Sequence, residues 1–170
     1  MTDTSALVWL SLTNWFHLLA TVVWIGGIIT NVIVVQPSAR ESLEPPVMGR
    51  FMGSFIKRLR PLIYASMAVL AISGIIMMLL NRHYLGLFDF GNLWTQFVLV
   101  KHILVLVIII LGVYMLEVVF PKVGRLAAKG PSPQLGGLQK LQVRLGMTSV
   151  IIAVLVLLFT AITGAVSALP

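Results

Sequence analysis

Four stretches of the chain run largely apolar, and polar or charged residues gather in short blocks between them. Their approximate limits are residues 6–36, 62–81, 92–120 and 144–168. A helix takes roughly 20 residues to cross the hydrocarbon core of a bilayer, so each stretch predicts a spanning helix. The fold class expected is all-α: an integral membrane four-helix up-down bundle, with residues 1–170 forming one transmembrane domain. The first stretch is expected to stay in the mature chain, since no basic residue precedes it and its apolar run is about twice that of a signal peptide. In "VMGRFMGSFIKRLRP", Met48, Phe51, Met52, Phe55, Ile56 and Leu59 recur at helical spacing opposite basic residues. This pattern predicts an amphipathic lead-in over 47–60, with Pro61 marking a start or kink in the second span. "KGPSPQLGG" (129–137) reads as a turn and "RHYLGLFDFGN" (82–92) as an aromatic loop at the interface. No internal repeat stands out.

Composition supports the membrane reading. A chain that is 59% hydrophobic and only 10% charged lies outside the range of soluble domains. The absence of cysteine excludes disulfides, thiolate metal sites, iron–sulfur clusters and Cys-attached haem. A net charge of +7 would suggest nucleic acid in a soluble protein, but the positions of the charges account for it differently. Arg40, Arg50, Lys57, Arg58 and Arg60 separate the first two spans, and Lys122, Arg125, Lys129, Lys140 and Arg144 separate the last two; only Arg82 and Lys101 lie elsewhere. The positive-inside rule puts the basic loops 37–61 and 121–144 in the cytoplasm and both termini outside, as in a prokaryotic cytoplasmic membrane, with no nucleic-acid partner. Trp9 and Trp94 suit an aromatic belt at the outer interface.

Ionisable groups within the spans are costly and mark candidate chemistry. His17 lies in "WFHLLATVVWIGG", and His102 occupies a matching depth on the third span, each about 15 Å from the start of its helix. Spans 1 and 3 run in the same direction and lie diagonally in an up-down bundle, about 11–14 Å apart. Two imidazoles across that gap suit axial ligation of one iron, and the expected cofactor is a noncovalent haem b with His17 and His102 as ligands. Trp24 would pack near the ring, and Lys101 or Arg82 would neutralise its propionates; for Lys101 the leading expectation is snorkelling outward, with a propionate partner or service as a ligand itself as the alternatives. With both axial positions filled, the expected activity is outer-sphere electron transfer, in company with other membrane redox subunits or a second copy of the chain. The pattern identifies no catalytic residue. An alternative set, His17, His83, Met77 and Met78, would hold copper instead. In a third reading the histidines only hydrogen-bond between helices. Gly26 and Gly27 are expected to admit a close neighbour, Asn31 to bond between helices, and Glu117 to pair with a basic loop residue.

The same residues resemble a family. "FHLLATVVWIGGI", "RLRPLIYASMAVLAISGI" and "LWTQFVLVKHILVLVIIILGVYMLEVVFPKV" are similar to the first three helices of the copper-resistance protein D membrane family, over about residues 15 to 125. Lys101 matches the family's third-helix lysine and Pro121 the proline after that helix. The resemblance implies copper transport or handling. A more distant likeness, through His17 and Lys101, is to the HemJ-type protoporphyrinogen oxidases and implies an oxidase activity. His102, directly after the lysine, departs from both patterns.

Overall fold

The computed structural model describes residues 3–86 and 90–168; the centre of the aromatic loop, residues 87–89, lies outside the described residues. Six α-helical segments are joined into four rods. They are α1 (Asp3–Ile29), α2 (Gln36–Ser42), α3 (Pro45–Leu79), α4 (Leu93–Tyr114), α5 (Phe120–Ala127) and α6 (Pro133–Ala168). A π turn over Thr30–Val35 joins α1 to α2, and another over Met115–Val119 joins α4 to α5. The four rods, Leu7–Ser42, Pro45–Leu79, Leu93–Ala127 and Pro133–Ala168, are each long and apolar enough to cross a membrane. Among the described residues there is no strand. The sequence pattern separates residues 47–60 from the second span, but α3 runs unbroken from Pro45 with Pro61 inside it. Likewise α6 begins at Pro133 rather than near 144, where the Ser132 hydroxyl accepts from Leu135 N–H at 3.2 Å as an N-cap. At 1.5 Å per residue each rod is about 50 Å long, beyond the roughly 30 Å hydrocarbon core. Their basic ends therefore project past it.

α1 packs on α3 and α4 on α6; α6 also reaches α1, and α3 reaches α5, which leaves α1 and α4 diagonal. The core joins Trp24, Ile25, Ile56, Ile63, Ile108 and Leu116 to Ala153 and Val156 of α6. Lipid is as apolar as these side chains, so close approach and hydrogen bonding hold the helices rather than a difference in polarity. Gly146, Ser149 and Ala153 place a small-residue face of α6 inside. Gln142 of α6 donates its Nε2 proton to Gln36 Oε1 at 2.8 Å, between two buried side chains. Helical hydroxyls satisfy themselves on the preceding turn: Ser149 donates to Leu145 O and Thr160 to Val156 O. Trp9 is exposed, as the aromatic belt requires, but Trp94 is buried. Its backbone N–H donates to Asn92 Oδ1 at 2.9 Å, which caps α4.

Both π turns have the same cause. Pro37 and Pro121 follow them by two residues, in "VVQP" and "VVFP", and a proline has no N–H to give the preceding turn. Phe120 N–H reaches back to Met115 O, so the acceptor next in line, Leu116 O, would face the missing proton of Pro121. Arg60 fills that place, donating from Nη2 to Leu116 O at 2.9 Å. Its Nη1 lies 3.6 Å from Glu117 Oε2, and the Tyr64 hydroxyl donates to Glu117 Oε1 at 2.8 Å. Arg60→Leu would strand a carbonyl on a buried residue, at a cost of about 1–3 kcal/mol. We expect a clear fall in thermal midpoint in detergent, with Arg60→Lys falling less.

The two π turns expose a repeat that residue identities conceal. Each hairpin consists of a helix with a π turn before a proline, paired with a helix carrying a buried hydroxyl directly before a glycine: Ser73–Gly74 in α3 and Thr163–Gly164 in α6. Counted back from the prolines, His17 and Lys101 each lie 20 residues ahead. The bundle is thus two parallel copies of one helical hairpin, and His17 and Lys101 occupy equivalent positions.

Candidate functional site

His17 sits half-buried on α1, one turn from buried Ala20 and two from buried Trp24. Its ring lies against Gly74 of α3: a Cβ placed there would be 3.4 Å from His17 Cε1. Beside it, His17 Nδ1 is 2.8 Å from Ser73 Oγ, and Ser73 Oγ is 2.6 Å from Val69 O. A carbonyl can only accept, so the hydroxyl proton goes to Val69. Ser73 Oγ then accepts from His17 Nδ1–H, which leaves Nε2 as the basic nitrogen. Thr21 donates to His17 O at 2.8 Å. The serine and glycine of α3 therefore orient the imidazole.

On α4 the inward stripe is Trp94, Val98 and Ile108, all buried, and Lys101 falls on it half-buried. His102, one residue on, is exposed on the apolar outer surface. The expected orientations, His102 inward and Lys101 free to snorkel, are exchanged. His102 Nδ1 lies 2.7 Å from Val98 O, so it too donates from Nδ1 and keeps Nε2 basic. His17 and Lys101 each lie 20 residues ahead of the proline of their own rod, so His17, Lys101 and His102 fall at one level of the bundle. At this level the exposed boundary includes Leu18, Ile103 and Leu106, so the region opens to lipid.

The other candidate residues lie apart from His17. Trp24 is buried in the core and lines a cavity of about 50 Å³ with Asn31, Met115 and Leu116, at the level of the π turns. Asn31, expected to bond between helices, is buried with Oδ1 unpartnered. Arg82 donates to Ser167 O and His83 Nε2, both at 3.2 Å, at the end of α6. His83 thus has one ring nitrogen engaged, and the helix from Gly74 to Leu80 alone separates it from His17 by about 9 Å. Met77 and Met78 are half-buried between them. The copper set is therefore strung along α3 rather than gathered. Among the described residues no three His, Asp or Glu side chains converge. The glycine pair divides: Gly27 approaches Leu59, 3.6 Å from a Cβ placed there, and Gly26 faces open space. Comparison with protein families, curated proteins and solved structures finds no match to this chain.

Proposed function

We propose that this is a haem b-binding integral membrane protein of electron transfer, in which His17 and His102 would hold the iron. The observation that carries the reading is the common state of the two imidazoles. Each gives its Nδ1 proton to an oxygen acceptor, Ser73 Oγ or Val98 O, which is how a protein orients a ligating histidine and raises the basicity of its other nitrogen. A haem would need two such nitrogens and apolar surroundings rather than a cluster of three ligands; His17 already faces α3, while His102, exposed on the outer side of α4, would have to turn inward to share the iron. Lys101, half-buried and without a hydrogen bond or ion pair among the described residues, is the cation to hand for a propionate. When bound, the haem supplies a one-electron couple. The chain's own residues fix the imidazoles, keep the slot apolar and balance the carboxylates. The basic loops 37–61 and 121–144 face the cytoplasm in this reading and the termini lie outside; the electron partners are other membrane redox subunits or a second copy of the chain.

The test is a reduced-minus-oxidised spectrum of the purified protein with iron and copper analysis of the same sample. One haem per chain with a Soret band that shifts on reduction supports the reading. Copper without a Soret band would move the assignment to copper handling, as the copper-resistance resemblance implies. Colourless, metal-free protein would leave an assembly role. Ser73→Ala releases the His17 ring without touching Nε2. We expect haem retention to fall about tenfold, as for lost partners of other metal-bound histidines, measured as haem per chain after dialysis.

A further inference from the structure

We propose that the groove between the N-terminal half of α3 and α5 binds the phosphate headgroup of an anionic phospholipid. The groove encloses about 300 Å³ and is lined by Lys57 and Arg60, by Phe120, and by three glycines, Gly49, Gly53 and Gly124. A Cβ at Gly53 or Gly124 would meet nothing within 4 Å, so these positions keep the groove open where larger side chains would fill it. Two cations face it; Arg60 is paired with Glu117, whose other oxygen accepts from the Tyr64 hydroxyl. Among the described residues Lys57 has no hydrogen bond or ion pair, and Arg60 Nε has no acceptor. The groove therefore carries an uncompensated positive charge beside a guanidinium already held in place by Leu116 O.

Its position selects lipid over a free anion. The groove lies at the basic end of the bundle, where α3 and α5 leave the hydrocarbon core, and Phe120 and Ile56 give it an apolar wall. Phe51 and Val47, exposed on the same half of α3, continue the apolar surface. A phosphate at this level meets an ammonium and a guanidinium by charge-assisted hydrogen bonds while its acyl chains stay in the bilayer. This site is separate from His17, and the proposal does not depend on the cofactor.

The test is native mass spectrometry of the full chain released from micelles doped with phosphatidylglycerol or phosphatidylcholine. One phosphatidylglycerol per chain is expected to be retained in preference to phosphatidylcholine. Lys57→Gln should weaken this retention about fivefold, the contribution of one lysine near an anionic surface, while Lys129→Gln, in the exposed turn before α6, should leave it unchanged. Equal retention of the two lipids would overturn the proposal. So would an unaffected Lys57→Gln variant, or a Lys129→Gln variant weakened as much, which would indicate diffuse charge. Displacement of phosphatidylglycerol by inorganic phosphate at equal concentration would identify a soluble-anion site and overturn the lipid assignment.

Discussion

His17→Ala is expected to abolish haem binding while leaving the bundle folded. The variant removes the one imidazole that α3 orients, through Ser73 Oγ at 2.8 Å and the close face of Gly74. The ring is only half-buried and outside the main apolar core, so the helical circular dichroism should match the wild type. Loss of the Soret band with folding intact separates a ligand from a structural hydrogen bond; retention of a full Soret band would remove His17 from the site. Gly74 gives a graded control. Alanine there would place its Cβ 3.4 Å from His17 Cε1, an ordinary contact, and should be tolerated. Leucine must displace the ring, and its haem content should approach that of His17→Ala. His102→Ala tests the second ligand, with a five-coordinate, high-spin spectrum as the expected outcome.

The second large effect is expected in packing. A Cβ on Gly146 would lie 3.1 Å from Val32 Cγ2 and 3.4 Å from Cγ1. Val32 is β-branched, stiff in χ1, and held in the first π turn, so it has little room to yield. Here α6 of the second hairpin meets the first, and a larger residue must push the hairpins apart. Gly146→Leu should destabilise the protein by about 1–3 kcal/mol or more, in the range of overpacked cores, and lower the thermal midpoint in detergent accordingly. Gly146→Ala should do so mildly, and Val32→Ala should rescue it. A rescue no larger than the sum of the separate effects would contradict the contact.

Much of the architecture can be read from the chain. The number and order of the spans follow from the lengths of the apolar stretches, and the pairing of Glu117 with a basic residue follows from the charges near it, realised through Arg60. What hydropathy hides is rotation about each helix axis. A helix in water announces its buried side by contrast with a polar one; α4 is apolar all round, so nothing in the pattern tells Lys101 from His102. The stripe Trp94–Val98–Lys101–Ile108 can be picked out only once the packing is known. Trp94 is misread for the same reason, since an aromatic near a helix end suits an interfacial belt and a buried cap equally.

The repeat is hidden differently. It lies in backbone geometry, two π turns set by two prolines, while side-chain identity survives as a valine pair and a proline in one helix and a hydroxyl–glycine pair in the other. The signal that could have found it is the equal spacing of His17 and Lys101 from those prolines. This placement also revises the view of Lys101: the second hairpin presents an amine where the first presents an imidazole, and His102 supplies the second imidazole one residue away. The site is thus a departure from two-fold symmetry at equivalent depth.

In the proposed site two imidazoles, both held by their Nδ1 protons, ligate one iron through Nε2. Near-infrared magnetic circular dichroism of the ferric protein reads the axial pair directly, because the charge-transfer band of low-spin haem depends on ligand identity. The expected result is the bis-imidazole signature, lost in both His17→Ala and His102→Ala. A histidine–amine signature that survives His102→Ala and disappears in Lys101→Met would contradict it and assign the sixth position to Lys101.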